Sequence, residues 1–170
     1  MFNSLADLLH DGLSDSTSIY LRDMQTGDLT RIGHGDMPKM SGNGRFVVFT
    51  TQAALVGNDT NSVSDVYVKD LQTGDVELVS CRADGGVSTA GGSLANISLD
   101  GSTIVFRSSG ELVGDSSGGS SAYVVSNPLY VRTLQGGSAT TPTRSTPIAM
   151  SSWRRRVKAP IPCGHRSATS

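Results

Sequence analysis

The chain has 170 residues, of which 36% are hydrophobic and 17% charged, and its formal net charge is −1. This composition is ordinary for a globular protein, and no run of about 18 apolar residues is present to span a membrane. The 20 glycines, set against only 5% aromatic residues, favour short strands joined by frequent turns over long helices. We therefore predict an all-β fold.

The amino-terminal segment, residues 4–12, has the sequence SLADLLHDG. It has no basic region in front of it, and Asp7 and Asp11 interrupt its apolar residues. A secretory signal peptide needs a basic start and an unbroken apolar stretch. The segment is therefore not expected to be a signal peptide.

A ten-residue motif occurs three times in the chain. The copies are SIYLRDMQTG at 18–27, DVYVKDLQTG at 65–74 and the weaker PLYVRTLQGG at 128–137. Repetition at a spacing of about 50 residues indicates a stacked or radial repeat architecture. Val66 and Val68 alternate with Tyr67 and Lys69, which is the pattern of a half-buried strand. Each copy is therefore predicted to begin with a strand.

The end of each motif predicts a hairpin turn. An aspartate such as Asp70 can accept hydrogen bonds from nearby backbone amides, and Gly74 can adopt a positive φ without a Cβ clash. A return strand is expected to follow the turn.

A second element recurs between these hairpins, as MSGNGRFVVF at 40–49 and ISLDGSTIVF at 97–106. The Asn-Gly and Asp-Gly pairs within it are strong hairpin signals. The apolar run at 46–49 does not alternate cleanly, so we predict an inner strand that is buried on both faces. Phe2 lies 47 residues before Phe49, which predicts that the chain begins inside a repeat unit.

The unit built from these elements has four strands, and it resembles the WD40-like β-propeller repeats of bacterial TolB-type proteins. The segments at 65–74 and 100–106 carry the resemblance most specifically, and it covers about residues 1–137. The resemblance implies four-stranded blades, usually six to eight in a ring, in proteins that are often periplasmic, secreted or on the cell surface. We therefore expect an incomplete β-propeller of consecutive four-stranded antiparallel blades, with fewer than three complete units.

Residues 138–170 differ from the rest of the chain, because they contain six basic residues, no acidic residue and no visible repeat. We predict a basic, disordered tail, and a frameshifted or degenerate end is one interpretation of the abrupt change. Nucleic-acid contact by Trp153 and the neighbouring arginines is the alternative, but the flanking prolines and serines specify no groove-reading element. No nucleic-acid partner is therefore expected.

The two cysteines, Cys81 and Cys163, form no disulfide framework and have no metal-ligand spacing with the three histidines. The question of a disulfide between them stays open.

The best candidate site is the loop NDTNSVSD at residues 58–65. Asp59, Asn61 and Asp65 place hard oxygen ligands on one short segment, which is the kind of ligand that calcium prefers. The spacing is not that of an EF-hand. The alternative is structural, with Asp59 and Asn61 stabilising a turn while Asp65 begins the strand. Calcium is the only cofactor that the sequence suggests.

No catalytic constellation is visible in the sequence: the glycine-rich stretches lack a P-loop lysine, and no Gly-x-Ser-x-Gly motif occurs. We therefore expect a non-enzymatic propeller fragment that serves as a protein- or ligand-binding scaffold. Two alternatives are the propeller portion of a larger hydrolase and a truncated, nonfunctional remnant. Expected partners are another protein, or further copies of the chain joined through open blade edges.

Overall fold

The computed structural model describes residues 1–4, 8–9, 17–113 and 119–130. These residues form strands and one short helical turn at 128–130. The strands are β1 (Phe2–Ser4), β2 (Ser18–Arg22), β3 (Leu29–His34), β4 (Asp36–Met40), β5 (Phe46–Thr51), β6 (Asp65–Asp70), β7 (Val76–Leu78), β8 (Ser93–Ile97), β9 (Thr103–Ser108) and β10 (Ser121–Ser126). The all-β prediction is confirmed.

The strands form three consecutive antiparallel sheets. The first sheet has the order β1-β2-β3, the second β4-β5-β6-β7, and the third β8-β9-β10. Each is a meander of sequential neighbours, which is the arrangement of blades in a propeller. The second sheet has the predicted four strands, and the first and third have three each within the described residues. The prediction of an incomplete propeller is therefore confirmed.

A stacked phenylalanine and tyrosine mark the same position in every sheet. Phe49 pairs with Tyr67 across the ladder, and their ring centroids lie 6.1 Å apart. The corresponding ring pairs are Phe2 with Tyr20 at 5.8 Å and Phe106 with Tyr123 at 5.7 Å. Phe2 is thus the counterpart of Phe49, as the sequence predicted.

The predicted position of the third repeat copy was wrong. The strand that corresponds to β6 is β10, Ser121–Ser126, and residues 128–130 of the predicted copy form a helical turn. Pro128 has no N–H for a strand ladder, and the side chain of Asn127 accepts a 3.0 Å hydrogen bond from the Leu129 N–H. Residues 131–137 of that copy lie outside the described residues.

The Asp-x-x-Thr-Gly-Asp segments form hairpin turns with the same hydrogen bonds in both sheets. The Gly27 and Gly74 N–H groups donate to the carbonyls of Asp23 and Asp70 at 2.9 Å. Both glycines have positive φ, 82° and 85°. The predicted turns are confirmed, and the repeated residues have a structural role there.

The second sheet is covered on both faces. Phe46, Val48, Val66 and Val68 pack in one buried cluster with Ile104 and Phe106 of the third sheet. Val47, Phe49 and Tyr67 pack in another with Ile19 and Ile32 of the first. Successive strand residues point to opposite faces, so β5 needs apolar residues on both. The prediction of a doubly buried inner strand is confirmed.

Within the described ranges, no helix is long and apolar enough to cross a membrane.

Candidate functional site

The connections between strands gather at two opposite ends of the second and third sheets. The turns at 41–45, 71–75 and 98–102 lie at one end, here called the turn end, where the Asn43 N–H donates to the Leu99 carbonyl at 3.1 Å. The connections at 52–64, 79–92 and 109–120 lie at the other end, here called the loop end; within the last of these, residues 114–118 are not described. The predicted site belongs to the loop end.

Backbone hydrogen bonds join the connections of the loop end to one another. The Gly92 N–H donates to the Ser64 carbonyl at 2.9 Å, and the Ala83 N–H donates to the Leu112 carbonyl at 2.8 Å. The connection at 79–92 therefore braces the connections on both of its sides.

Asp65 is the buried centre of a polar network at the loop end. Its side chain is fully buried, and its two oxygens accept hydrogen bonds from Ser80 Oγ at 2.5 Å and Asn61 Nδ2 at 2.8 Å. Burial raises the pKa of Asp65; these two hydrogen bonds oppose the rise, and the charge of Asp59 adds to it. Ser80 Oγ also accepts from the Val66 N–H at 2.9 Å.

Asp59 is also buried, and the hydroxyl of Tyr67 donates a short hydrogen bond to its Oδ2. The same hydroxyl accepts a 3.3 Å bond from the Leu55 N–H. Burial, and then the hydrogen bond to Asp59, raise the pKa of Tyr67 well above its usual value. Tyr67 therefore connects the stacked pair of Phe49 and Tyr67 rings to the loop that carries Asp59.

Asn61 turns its nitrogen, not its oxygen, towards Asp65. Nδ2 donates to Asp65 and also to the Ser88 carbonyl at 2.7 Å, while Oδ1 accepts from the Val63 N–H at 2.9 Å. The two acceptors and the one donor fix the orientation of this amide. Calcium at Asp59, Asn61 and Asp65 would have to compete with these bonds, and it stays a prediction. In the described parts of the chain, no three His, Cys, Asp or Glu side chains are grouped as metal ligands.

Among the described residues, such a network occurs in the second sheet only. By ladder position, Asp65 corresponds to Ser18 in the first sheet and to Ser121 in the third. Neither serine carries a charge, and Ser18 is buried without a hydrogen bond from its Oγ. The sequence prediction of at most one such site stays a prediction, because residues 10–16 and 114–118 of the corresponding connections lie outside the described residues.

Sequence reasoning missed Ser80, Ser88 and Tyr67 as members of the network. Tyr67 is the tyrosine of the repeat motif, so its recurrence was a signal for its structural role. Ser80 and Ser88 lie 15 and 27 residues from their partners Asp65 and Asn61. Nothing in the sequence pattern relates serines at such distances to a particular carboxylate or amide.

Asp70 forms an ion pair with two nitrogen atoms of Arg45, Nη2 at 2.6 Å and Nε at 3.0 Å. Burial alone would raise the pKa of Asp70, but the hydrogen bonds from Arg45, Gln72 and Thr73 together hold it below its usual value. The pair connects the turn at 41–45 with the turn at 71–75. Its role is to hold the turn end of the second sheet together.

The imidazole Nε2 of His34 lies 3.1 Å from Nη2 of Arg31. His10 lies outside the described residues. Cys81 is disulfide-bonded, and its partner lies outside them as well.

Two open grooves indent the described surface. A groove of about 410 Å³ at the turn end is lined by Leu21, Arg22, Asp23, Asp28, Thr30, Met40 and Gly44. A groove of about 240 Å³ at the loop end is lined by Arg107 and by serine, glycine and alanine residues. Small-molecule sites are usually enclosed, mostly apolar and about 300–1,000 Å³. The loop-end groove does not fit that description.

No family model and no curated protein matches the chain. Similar solved structures include the β-propeller domain of the Trilobed protease from Pyrococcus furiosus, at 15% identity and a TM-score of 0.45, covering 65% of this chain and 31% of that one. TolB from Acinetobacter baumannii is 25% identical with a TM-score of 0.44, covering 66% and 25%. The tricorn protease is 16% identical with a TM-score of 0.44, covering 78% and 13%.

The chain therefore spans less than a third of the length of each of these proteins. TolB, the protein type that the repeats resemble, is among them.

Proposed function

We propose that this chain is a non-enzymatic, propeller-type scaffold that binds a protein partner through its loop end. The observation that carries the proposal is the bracing of the loop-end connections by hydrogen bonds between them. A surface fixed before binding loses little conformational entropy when a partner docks, which favours affinity. Exposed loops on a rigid framework are also where binding residues usually lie.

The outward side of the loop end offers both apolar and polar contacts. Leu55 and Val113 are 38% and 55% exposed. Thr60, Ser62 and Glu111 are exposed polar residues of the same connections. Apolar contacts with a polar surround are typical of protein interfaces.

A protein fits this surface better than a small molecule does. The loop-end groove is open, smaller than usual ligand sites and lined mainly by small polar residues and Arg107. A small ligand would leave most of its surface in water there. A protein partner can instead cover the groove and the exposed side chains around it.

Site-specific cross-linking tests the proposal. A photo-reactive amino acid is placed at Val113 or Leu55 in the full chain, and the chain is irradiated in an extract of the cells that produce it. We expect a discrete cross-linked protein from both positions, and we expect Val113→Glu to weaken capture from position 55 at least tenfold.

The matched control carries the same photo-reactive residue at Met24, which is 87% exposed in the turn of the first sheet. The loop end binds no partner if position 24 captures the same protein equally well, or if positions 55 and 113 capture none.

A further inference from the structure

The loop-end groove lies where all three connections of the loop end meet the third sheet. Its lining includes Ser64, Gly92, Ser93, Arg107, Ser109 and Ser120. The hydrogen bond from the Gly92 N–H to the Ser64 carbonyl joins two of these connections, and the buried Ser108 Oγ donates to the Gly91 carbonyl beside them at 2.5 Å. The groove is therefore held open by bonds within the chain before any partner binds.

Arg107 brings a positive charge to this groove. Phe106 packs against the second sheet, and successive strand residues point to opposite faces. Arg107 therefore lies on the face of the third sheet that is turned away from the second sheet, here called the outer face. Its Nε donates to Ser120 Oγ at 2.6 Å. This bond holds the guanidinium at the groove and leaves both Nη groups for another acceptor.

No carboxylate of the described residues pairs with Arg107. Two other arginines do have such partners, since Arg45 pairs with Asp70 at 2.6 Å and Arg82 with Asp84 at 3.5 Å. The turn-end groove contains two aspartates beside its arginine, whereas no acidic residue lines the described part of the loop-end groove. The positive charge of the loop-end groove is therefore not neutralised there.

The repeat does not require a positive charge at this ladder position. Thr50 stands there in the second sheet and Asn3 in the first. Thr50 is buried, and its hydroxyl donates to the Asp36 carbonyl at 3.3 Å. Arg107 is therefore a feature of the third sheet and not of the shared fold.

We propose that the loop-end groove receives an aspartate or glutamate side chain of the protein partner, whose carboxylate pairs with Arg107. This inference rests on the proposed function. A partner that covers the loop end removes Arg107 from water, and a charged group that is buried without a partner is costly. A guanidinium has donors and no acceptor, so the partner has to supply the acceptor.

A carboxylate matches the donors of the groove. The two Nη groups of a guanidinium can donate parallel hydrogen bonds to both carboxylate oxygens, and the hydroxyls of Ser93 and Ser109 can donate as well. The groove measures about 240 Å³, which suits a single side chain better than a whole ligand. Arginine is also among the residues that most often dominate the binding energy of protein interfaces.

Capture by the photo-reactive residue at position 55 tests the proposal in full chains that differ at position 107. We expect Arg107→Gln to weaken capture at least tenfold with an unchanged melting temperature. Arg107→Lys should weaken capture less, because lysine keeps the charge and loses the planar fork. Arg82→Gln is the matched control, since Arg82 is an exposed arginine of the loop end that already pairs with Asp84. Equal losses in Arg107→Gln and Arg82→Gln would overturn the proposal.

A charge swap identifies the group that enters the groove. The captured protein is identified by mass spectrometry, and the acidic residues near its cross-linked position are replaced one at a time by arginine. One replacement should abolish capture by the natural chain and restore capture by Arg107→Glu. Restoration at none of these positions would overturn the proposal.

Inorganic phosphate separates a free anion from a side chain of the partner. Phosphate is titrated into the full chain while the backbone amide signals of Gly92 and Ser93 are followed by NMR. Phosphate binding there, together with capture that Arg107→Gln does not change, would assign the groove to a free anion and overturn the proposal. Capture that Arg107→Gln does not change leaves the loop-end partner in place, whereas no capture from positions 55 and 113 overturns the partner and the groove contact together.

Discussion

At the scale of single residues, two buried carboxylates are the most demanding groups in the described structure. Asp59 and Asp65 are both removed from water, and their hydrogen-bond donors come from Tyr67, Ser80 and Asn61. A buried charged group is costly unless its hydrogen bonds are made. The stability of the loop end should therefore depend on these few donors.

Removal of the Tyr67 hydroxyl should destabilise the fold measurably. In Tyr67→Phe, the Asp59 carboxylate loses its short hydrogen bond inside the protein, and we expect a loss of about 1–3 kcal/mol in the free energy of unfolding. Urea unfolding monitored by circular dichroism measures it. Tyr123→Phe is the matched control, because that hydroxyl donates to the neutral Gly110 carbonyl at 3.0 Å. Equal losses in the two variants would contradict the special role of Asp59.

The raised pKa of Asp65 predicts a pH dependence. The folded state holds its proton at a higher pH than the unfolded chain does, so stability falls as pH rises through the folded pKa. One such group can change the free energy of unfolding by at most about 1.4 kcal/mol per pH unit. Asp65→Asn should flatten this slope in urea unfolding across the mildly acidic range. The lowered pKa of Asp70 acts in the opposite sense and at lower pH.

Calcium binding by Asp59, Asn61 and Asp65 stays a prediction. A cation that binds only the folded state raises the melting temperature by mass action, so millimolar calcium should raise it. Asp59→Ala should abolish the rise, while Asp84→Ala, which removes an exposed aspartate of the connection at 79–92, should retain it. An unchanged melting temperature in calcium would leave the hydrogen-bonded turn as the only role of the loop.

At the scale of elements, the hairpin turns hold neighbouring sheets as well as reversing the chain. At the turn end, Asn43 Nδ2 donates to the Asp100 carbonyl at 3.0 Å, which links the turns of the second and third sheets. Gly101 lies against Phe46 of the second sheet, and a Cβ at that glycine would be 2.5 Å from the ring carbon Cδ2. This turn is therefore part of the contact between the sheets.

Gly101→Ala should cost more stability than Gly44→Ala. Gly101 and Gly44 have positive φ, 81° and 73°. Alanine adopts such a backbone conformation only with strain, so each variant should lose about 1–2 kcal/mol in the free energy of unfolding. A Cβ at Gly44 would meet nothing within 4 Å, whereas one at Gly101 collides with Phe46. Thermal unfolding of the two variants measures the difference. Equal melting temperatures would mean that the sheets separate at little cost.

At the scale of the whole molecule, the stacked sheets form a structure with different ends and different faces. The turn end is tied by repeated local hydrogen bonds, and the loop end carries the polar network and the proposed partner surface. The outer face of the third sheet carries the exposed side chains of Val105 and Val124.

Residues 138–170 lie outside the described residues, and we predict that they are dispensable for stability. They contain no strand or helix periodicity, and four prolines would interrupt a ladder. Trypsin should cut at Arg154–Lys158 long before it cuts within residues 1–137. The trimmed chain should have the same melting temperature as the full chain. The digest is run with and without reductant, because Cys81 is disulfide-bonded and Cys163 lies beyond these cleavage sites. Resistance of residues 138–170 to trypsin would mean that the folded part of the chain extends beyond residue 137.

The sequence by itself determined the sheets and their turns. The Asp-x-x-Thr-Gly turn and the Asn-Gly turn were predictable because their hydrogen bonds join residues within about five positions of one another, as between Gly74 and Asp70. The strand of the motif was predictable because its side chains alternate between the two faces of the sheet. The same local patterns placed Phe2 at the position of Phe49 in the repeat unit. Local patterns misplaced the third copy, because residues 128–130 resemble the motif while the ladder selects Ser121–Ser126.

Only the tertiary structure decided which side chains meet. Ser80 and Ser88 join Asp65 and Asn61 because β7 and the connection after it return to the loop end, and a sequence pattern does not encode that return. The exposure of Val105 and Val124 was equally hidden, since Val48 and Val68 have the same pattern and are buried. Burial depends on whether another sheet covers the face, and that is a property of the assembled fold.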